Sequence, residues 1–263
     1  MTSYGGSSVL KNLETELKKE AGMKILAIQG SPRPKEISNT EVILQEFLKG
    51  AQSQGAEIET IYLREKEIHH CIGCYTCFLK TPGVCAFKDD MPGLLEKIRK
   101  CDVRVYATPL YNYNVTSLFK AFQERNLPLI DPHFIKTEGL YRHPQRYDLN
   151  QKMVFISTCG FPEVSHFNAV KNLFRGVEHL GQVPLIGEVL LPAAGFLLKN
   201  ENIRKEVEVI LQAVYQAGVE VVREGRISKE TEAQIQKPVA SADEIAQTIN
   251  LWFDRQLESS HKE

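Results

Sequence analysis

From Met23 onward the chain alternates short apolar runs with longer stretches in which apolar residues recur at helical spacing. KILAIQ (24 to 29) is almost continuously apolar and ends in Gly30, Ser31 and Pro32, after which TEVILQEFLKGAQSQG (40 to 55) spaces its apolar residues three and four apart. The first run predicts a strand, the second a helix. IETIYL (58 to 63), VRVYATPLY (103 to 111), KMVFISTCG (152 to 160) and VPLIGEVLL (183 to 191) predict four further strands. MPGLLEKIRK, TSLFKAFQER, HFNAVKNLFRGVEHLG and NIRKEVEVILQAVYQAGVEVVREG predict the helices that connect and follow them. Apolar strands separated by helices belong to a parallel sheet covered on both faces, so the expected architecture is α/β with three layers. Ligands of such sheets sit beyond the carboxyl ends of the strands, near the switch in strand order. The loops after Gln29, Tyr106 and Ile156, and the cysteine-bearing loop after the second strand, are therefore the places to look for chemistry.

The flanks differ from this alternation. VLKNLETELKKE (9 to 20) puts Val9, Leu10, Leu13 and Leu17 on one stripe, which predicts an added amphipathic helix in an amino-terminal extension, 1–22. The main domain is expected over 23–225, with a carboxy-terminal helical segment and polar tail over 226–263. Residues 126 to 150, rich in Pro, His, Tyr and Arg, read as an insertion over the ligand crevice or at a subunit interface. No internal repeat or low-complexity segment is present.

Composition narrows the partners. Of 263 residues 43% are apolar and 25% charged, as in ordinary globular proteins. A formal net charge of -1 gives no basic surface for nucleic acid or an anionic membrane. The first twenty residues hold neither a basic and apolar leader nor a bilayer-length run, so a cytoplasmic protein is expected. In that reducing compartment clustered cysteines point to metal or catalysis rather than to disulfides.

GSPRPKEISNT (30 to 40) joins the first strand to the first helix and supplies Ser31, Arg33, Ser38, Asn39 and Thr40. Hydroxyls, an amide and a guanidinium at a helix amino terminus suit a terminal phosphate, although Ser38 or Asn39 could simply cap the helix. No Lys-Ser/Thr pair of the P-loop type and no G-x-G-x-x-G follows this strand, which supports neither an ATPase nor a dinucleotide-binding unit.

GSPR followed by SNT, then CIGCYTC with a further Cys and DDM, then ATPLYNYNVTSLFKAFQER, then STCGFPE, together resemble the flavodoxin-fold NADPH-dependent FMN reductase family over about residues 23 to 195. The cysteine-bearing stretch is similar to the iron-sulfur flavoproteins. The resemblance implies a flavodoxin-like, parallel five-stranded sheet of order 2-1-3-4-5, with FMN bound at its carboxyl edge. It implies that Ser31, Arg33, Ser38, Asn39 and Thr40 hold the phosphate, that Pro109, Leu110, Tyr111 and Asn112 line the isoalloxazine, and that Thr158, Cys159 and Gly160 approach the ring.

Cys71, Cys74, Cys77 and Cys85 form C-x2-C-x2-C-x7-C. Three thiolates at that spacing can grip one face of a [4Fe-4S] cluster and the fourth can close the site, as the resemblance also implies. Other readings stay open: a zinc site using His69 or His70, a thioredoxin-like pair of Cys71 and Cys74, or a loop that keeps its thiols without metal. Cys101 and Cys159 read as small packed residues, and Asp89 and Asp90 as a helix cap with an acidic first turn. No general acid or base stands out; His133, His143, His166 and His179 read as surface or helix residues, of which His166 lies nearest the flavin loop in sequence.

The function so implied is an oxidoreductase passing electrons from NAD(P)H, or from a ferredoxin-type donor, through FMN to a small acceptor such as a quinone, a nitro or azo compound, a flavin or oxygen. The alternatives are a cluster-free NAD(P)H-dependent FMN or quinone reductase, and a flavodoxin-like carrier or zinc-stabilised module without turnover. A homodimer or dimer of dimers is the expected assembly, with the cysteine loop or the 126 to 150 segment near its interface.

Overall fold

Five parallel strands form one sheet: β1 (Lys24–Gln29), β2 (Glu57–Tyr62), β3 (Val103–Pro109), β6 (Lys152–Thr158) and β7 (Leu185–Leu191), in the order β2-β1-β3-β6-β7. This computed structural model describes residues 22–260, so the helix predicted over 9 to 20 lies outside the described residues. Counting only strands of this sheet, the order is the expected 2-1-3-4-5, because β4 (Ile135–Thr137) and β5 (Leu140–Arg142) pair separately as an antiparallel hairpin.

β1, β3 and β6 are buried almost throughout, as near-continuous apolar sequences require of strands covered on both faces. On one face, Ile43, Leu44 and Phe47 of α1 (Asn39–Gln52) share a core with Val214, Ala217 and Val221 of α5 (Arg204–Arg223). On the other, α2 (Met91–Lys100), α3 (Ser117–Glu124) and α4 (Asn168–Gly181) bury Leu94, Phe119, Phe122 and Phe174 against Tyr106 and Phe155. α1 and α5 cross backbone to backbone. A Cβ on Gly50 would collide with the Tyr215 carbonyl, and one on Gly218 with that of Phe47.

The central strands end flush. Gln29 pairs with Ala107, Pro109 with Thr158, and Thr158 with Leu191, so the loops after β1, β3 and β6 open on one edge. β1 and β3 are where the strand order reverses. β3 stops at Pro109, two residues before the predicted end, because the next segment turns back on itself.

The insertion departs from one expectation. It does not cover the carboxyl edge: Arg142 donates to the His179 carbonyl and Gln145 to those of Gly181 and Gln182, at the far end of α4. Its hairpin turns through Glu138 and Gly139, both left-handed, a two-residue turn whose twist suits antiparallel strands. Beyond α5, α6 (Lys229–Ile235) packs beside β7, where the Glu188 amide donates to Glu232, and α7 (Ala242–Ser260) closes the described chain. Among the described residues no helix is long and apolar enough to cross a membrane.

Candidate functional site

The loop after β1 folds its hydroxyls inward. Ser38 begins α1 and accepts from the Glu41 amide, its hydroxyl donates to Ser31 Oγ at 3.0 Å, and Ser31 Oγ accepts from the Arg33 amide at 3.3 Å. The amides of Asn39 and Thr40, in the first turn of α1, point from the positive end of the helix with no carbonyl one turn earlier in the helix to receive them. Thr40 Oγ1 lies 2.7 Å from Thr158 Oγ1, which ties this loop to the end of β6. Glu41 is held by Gln29 Nε2 at 3.0 Å and the Tyr62 hydroxyl at 2.8 Å, and burial together with that carboxylate pushes the Tyr62 phenol up. The Arg33 side chain is exposed.

After β3, the Leu110 amide donates to the Thr158 carbonyl at 2.9 Å, and Tyr111 and Asn114 exchange both backbone hydrogen bonds. Between them Asn112 (φ 47°) and Tyr113 (φ 61°) are both left-handed. Asn tolerates that region; a tyrosine there stores about 1 kcal/mol or more of strain, which a functional site can retain. The strain serves a contact: the Tyr113 ring lies 5.8 Å from Phe161 at 16°, and Phe161 stacks on His166 at 4.0 Å and 1°. Three nearly parallel rings thus stand between the loop after β3 and the loop after β6. Thr116, at the start of α3, donates to the Gly30 carbonyl at 2.6 Å and so joins the first two loops.

In the loop after β6, Cys159 is buried and its thiol is pushed up to about 11 by that burial. Its Sγ rests 3.4 Å from the Phe161 carbonyl, so it packs as expected, while its amide donates to the Leu191 carbonyl and its carbonyl accepts from the Ala194 amide. At Gly160 a Cβ would meet nothing within 4 Å, which leaves open space beside the strand end.

A second site adjoins the end of α3. Cys71, Cys74, Cys77 and Cys85 line one pocket, together with Tyr75 and Arg125. All four are free thiols. Left-handed Gly73 and Tyr75 turn the chain twice, and Cys77 then enters a single helical turn, Thr76–Leu79. Burial, then the neighbouring Cys85, pushes the Cys77 thiol up, while hydrogen bonds from Thr76 lower that of Cys74. The thiols share the pocket, yet no three His, Cys, Asp or Glu side chains among the described residues are drawn into metal-ligating geometry. The predicted histidine alternatives do not line it; His69 instead packs its ring 5.2 Å from Phe87.

Behind the thiols sits Arg125, 1% exposed and forked onto Asp89 at 2.6 and 3.0 Å. The same guanidinium donates to the His69 carbonyl at 2.8 Å, and it lies 4.9 Å from the Phe87 ring. Burial opposes the Asp89 charge, but Arg125 and the amides of His69 and Met91 outweigh it and hold the carboxyl below its usual range. Asp89 thus caps α2 as expected and also neutralises a buried cation, whereas Asp90 accepts from the Glu67 amide. Arg125 Nε is buried with no partner among the described residues. A pocket lined by four thiols in front of a buried cation with one unused N–H fits an anionic, sulfur-ligated group. Arg125 and Phe161 escape a reading of the sequence: each lies within a quoted motif, but nothing local marks one as buried or the other as stacked.

The family model described as NADPH-dependent FMN reductase matches residues 23–192. An iron-sulfur flavoprotein of Archaeoglobus fulgidus is 38% identical over 106 residues, 40% of this chain and 46% of its own length. The chain thus spans about half the length of that relative. Two solved structures share the fold: an FMN-dependent NADH-azoreductase from Bacillus anthracis in complex with FMN (TM-score 0.57, 14% identity, 76% of this chain and 100% of that one), and an NAD(P)H:quinone oxidoreductase from Methanothermobacter marburgensis (TM-score 0.57, 15% identity, 76% and 96%).

Proposed function

The chain belongs to the NADPH-dependent FMN reductase family, and from that footing we propose that it is an FMN-dependent oxidoreductase. It takes electrons from NAD(P)H or a reduced ferredoxin-type protein and delivers them to a small acceptor such as a quinone, a nitro or azo compound, a flavin or oxygen. The observation that carries this reading is the meeting of three loops at the point where strand order reverses, one rich in hydroxyls at a helix amino terminus and two carrying stacked rings.

In this reading Ser31, Ser38, Asn39 and Thr40 bind the phosphate through hydroxyls and first-turn amides, and Arg33 closes over it from solvent. The Thr40–Thr158 pair keeps the phosphate end and the ring end at a constant separation. Pro109, Leu110, Tyr111 and Asn112 edge the ring on one side, and Thr158, Cys159 and Gly160 on the other. The Leu110 and Tyr111 amides are already committed within the protein, so Asn112 is left to donate there. The Tyr113, Phe161 and His166 rings exclude water from the flank of the crevice. FMN, when bound, supplies a ring that accepts a hydride and gives up its electrons together or singly.

Cys71, Cys74, Cys77 and Cys85 are assigned to a [4Fe-4S] cluster, which supplies one-electron transfer. Arg125 offsets its negative charge and Asp89 limits that offset. A cluster-free reductase is the second reading, favoured by the absence of converged metal-ligating side chains among the described residues. The absorption spectrum of protein purified without oxygen, with iron, sulfide and zinc assayed on the same sample, separates them. Flavin bands over a broad, bleachable shoulder with equal iron and sulfide support the cluster. Clean flavin bands without iron support the second reading, and absence of flavin overturns both.

A further inference from the structure

A cavity of about 520 Å³ lies between α3, α4 and the insertion, against the start of β3, and neither cofactor site uses it. It shares Leu127 with the thiol pocket and no residue with the crevice loops. Arg104, which lines it, stands about 17 Å along the strand from Pro109, at the end remote from the crevice. The volume is in the range of small-molecule sites. Buried Tyr106, Phe119, Phe122 and Phe174 wall the cavity, while Phe134 and Tyr141 of the insertion are exposed at its mouth.

The polar side chains of this cavity lack partners. Arg104 is 6% exposed, yet its guanidinium bonds neutral groups alone, Gln151 Oε1 at 2.8 Å and the Tyr106 hydroxyl at 3.3 Å. A guanidinium carries five N–H donors, so two of them remain unused. The other buried arginine, Arg125, has Asp89 as counter-charge, whereas no carboxylate among the described residues pairs with Arg104. Gln123 Oε1, Asn126 Oδ1 and Arg142 Nε, all from residues lining the cavity, are buried without a partner among the described residues. No Asp or Glu among the described residues lines it. A buried cation without a counter-charge is costly, and so is a dry amide or guanidinium N–H; an anion with polar substituents relieves both.

We propose that this cavity binds an aromatic carboxylate of one or two rings that bears a further ketone or hydroxyl. The carboxylate answers the guanidiniums of Arg104 and Arg142. The rings pack on Phe119, Phe122 and Phe174, where edge-to-face and offset contacts are both open to them. The ketone or hydroxyl meets the side-chain amides of Gln123 and Asn126, which accept through oxygen and donate through nitrogen. The site is separate from the flavin crevice and the thiol pocket, so it is occupied whether or not either of those is.

4-Benzoylbenzoate carries two rings, a ketone and a carboxylate, and its ketone is photoreactive, so one probe reads affinity and place. Calorimetric titration of the full chain is expected to show saturable binding of one probe per chain, unchanged by added FMN. The neutral methyl ester is expected to bind about tenfold more weakly or worse, since it lacks the charge. Arg104→Met is expected to cost about tenfold or more in affinity with an unchanged far-UV spectrum. If that variant does not fold, Arg142→Leu and Gln123→Leu, in half-buried residues, carry the same test with expected losses of about three- to tenfold each. Irradiation is expected to label residues 119–149 or 173–183. Absence of saturable binding, an ester that binds as tightly as the acid, wild-type affinity in both Arg142→Leu and Gln123→Leu, or label confined to the crevice loops or to residues 1–21 would each overturn the proposal.

Discussion

At the carboxyl edge, the residues of the crevice hang from strand ends whose neighbours are wholly buried and in fixed register. The four thiols hang instead from a loop with one helical turn, anchored by buried Cys77 and Phe78 and backed by a buried ion pair. The crevice is therefore maintained by the same apolar packing that maintains the fold, and small polar changes there act on ligand binding more than on stability. The cysteine pocket leans on a buried charged contact, which reaches the start of the loop through the His69 amide and carbonyl.

Breaking that contact has the largest expected effect. Asp89→Ala leaves Arg125 buried without its counter-charge, and urea unfolding should show a loss of about 3–5 kcal/mol. The pH dependence carries the same signature. Because the folded-state pKa of Asp89 is depressed, its contribution is present above the unfolded value of about 3.9 and is lost as pH falls through the lower folded value. Acid unfolding of Asp89→Asn should lack that component.

Gly218→Ala drives a methyl into the Phe47 carbonyl where α1 crosses α5, and a loss of about 1–3 kcal/mol by thermal or urea unfolding is expected. If it also weakened FMN binding strongly, the crevice would be less rigidly supported than the register implies. Ser38→Ala removes the α1 cap for about 1 kcal/mol of stability, and fluorescence titration should show weaker FMN binding with the cysteine loop unchanged. The smallest effect is one of rate. In metal-free protein iodoacetamide should modify Cys74 first and leave Cys101 and Cys159, each pushed up to about 11 by burial, unmodified in the folded state.

The sheet was legible in the sequence because its strands are near-continuous apolar runs, and periodicity reports burial directly. The cap reading of Ser38 was legible because a hydroxyl just before a helical run is a local signal, whereas the contacts of Ser31 with Ser38 and of Thr40 with Thr158 were not. Phe161, His166 and Tyr113 come together only because β3 and β6 are neighbours, a fact of topology that no local spacing encodes. Arg125 reads as the polar end of an amphipathic helix, and its burial depends on Asp89, 36 residues away in sequence. The insertion was visible by composition, but its seat on the far end of α4 follows from hydrogen bonds to backbone carbonyls, which side-chain identity does not announce.

α3 touches both sites. Thr116 at its start fastens the crevice loops, and Arg125 just past its end supports the thiol pocket. Eight helical residues make a strut about 12 Å long. A strut of that kind acts as a ruler: it sets a constant gap between the crevice loops and the thiol pocket, whatever the surface loops around them do.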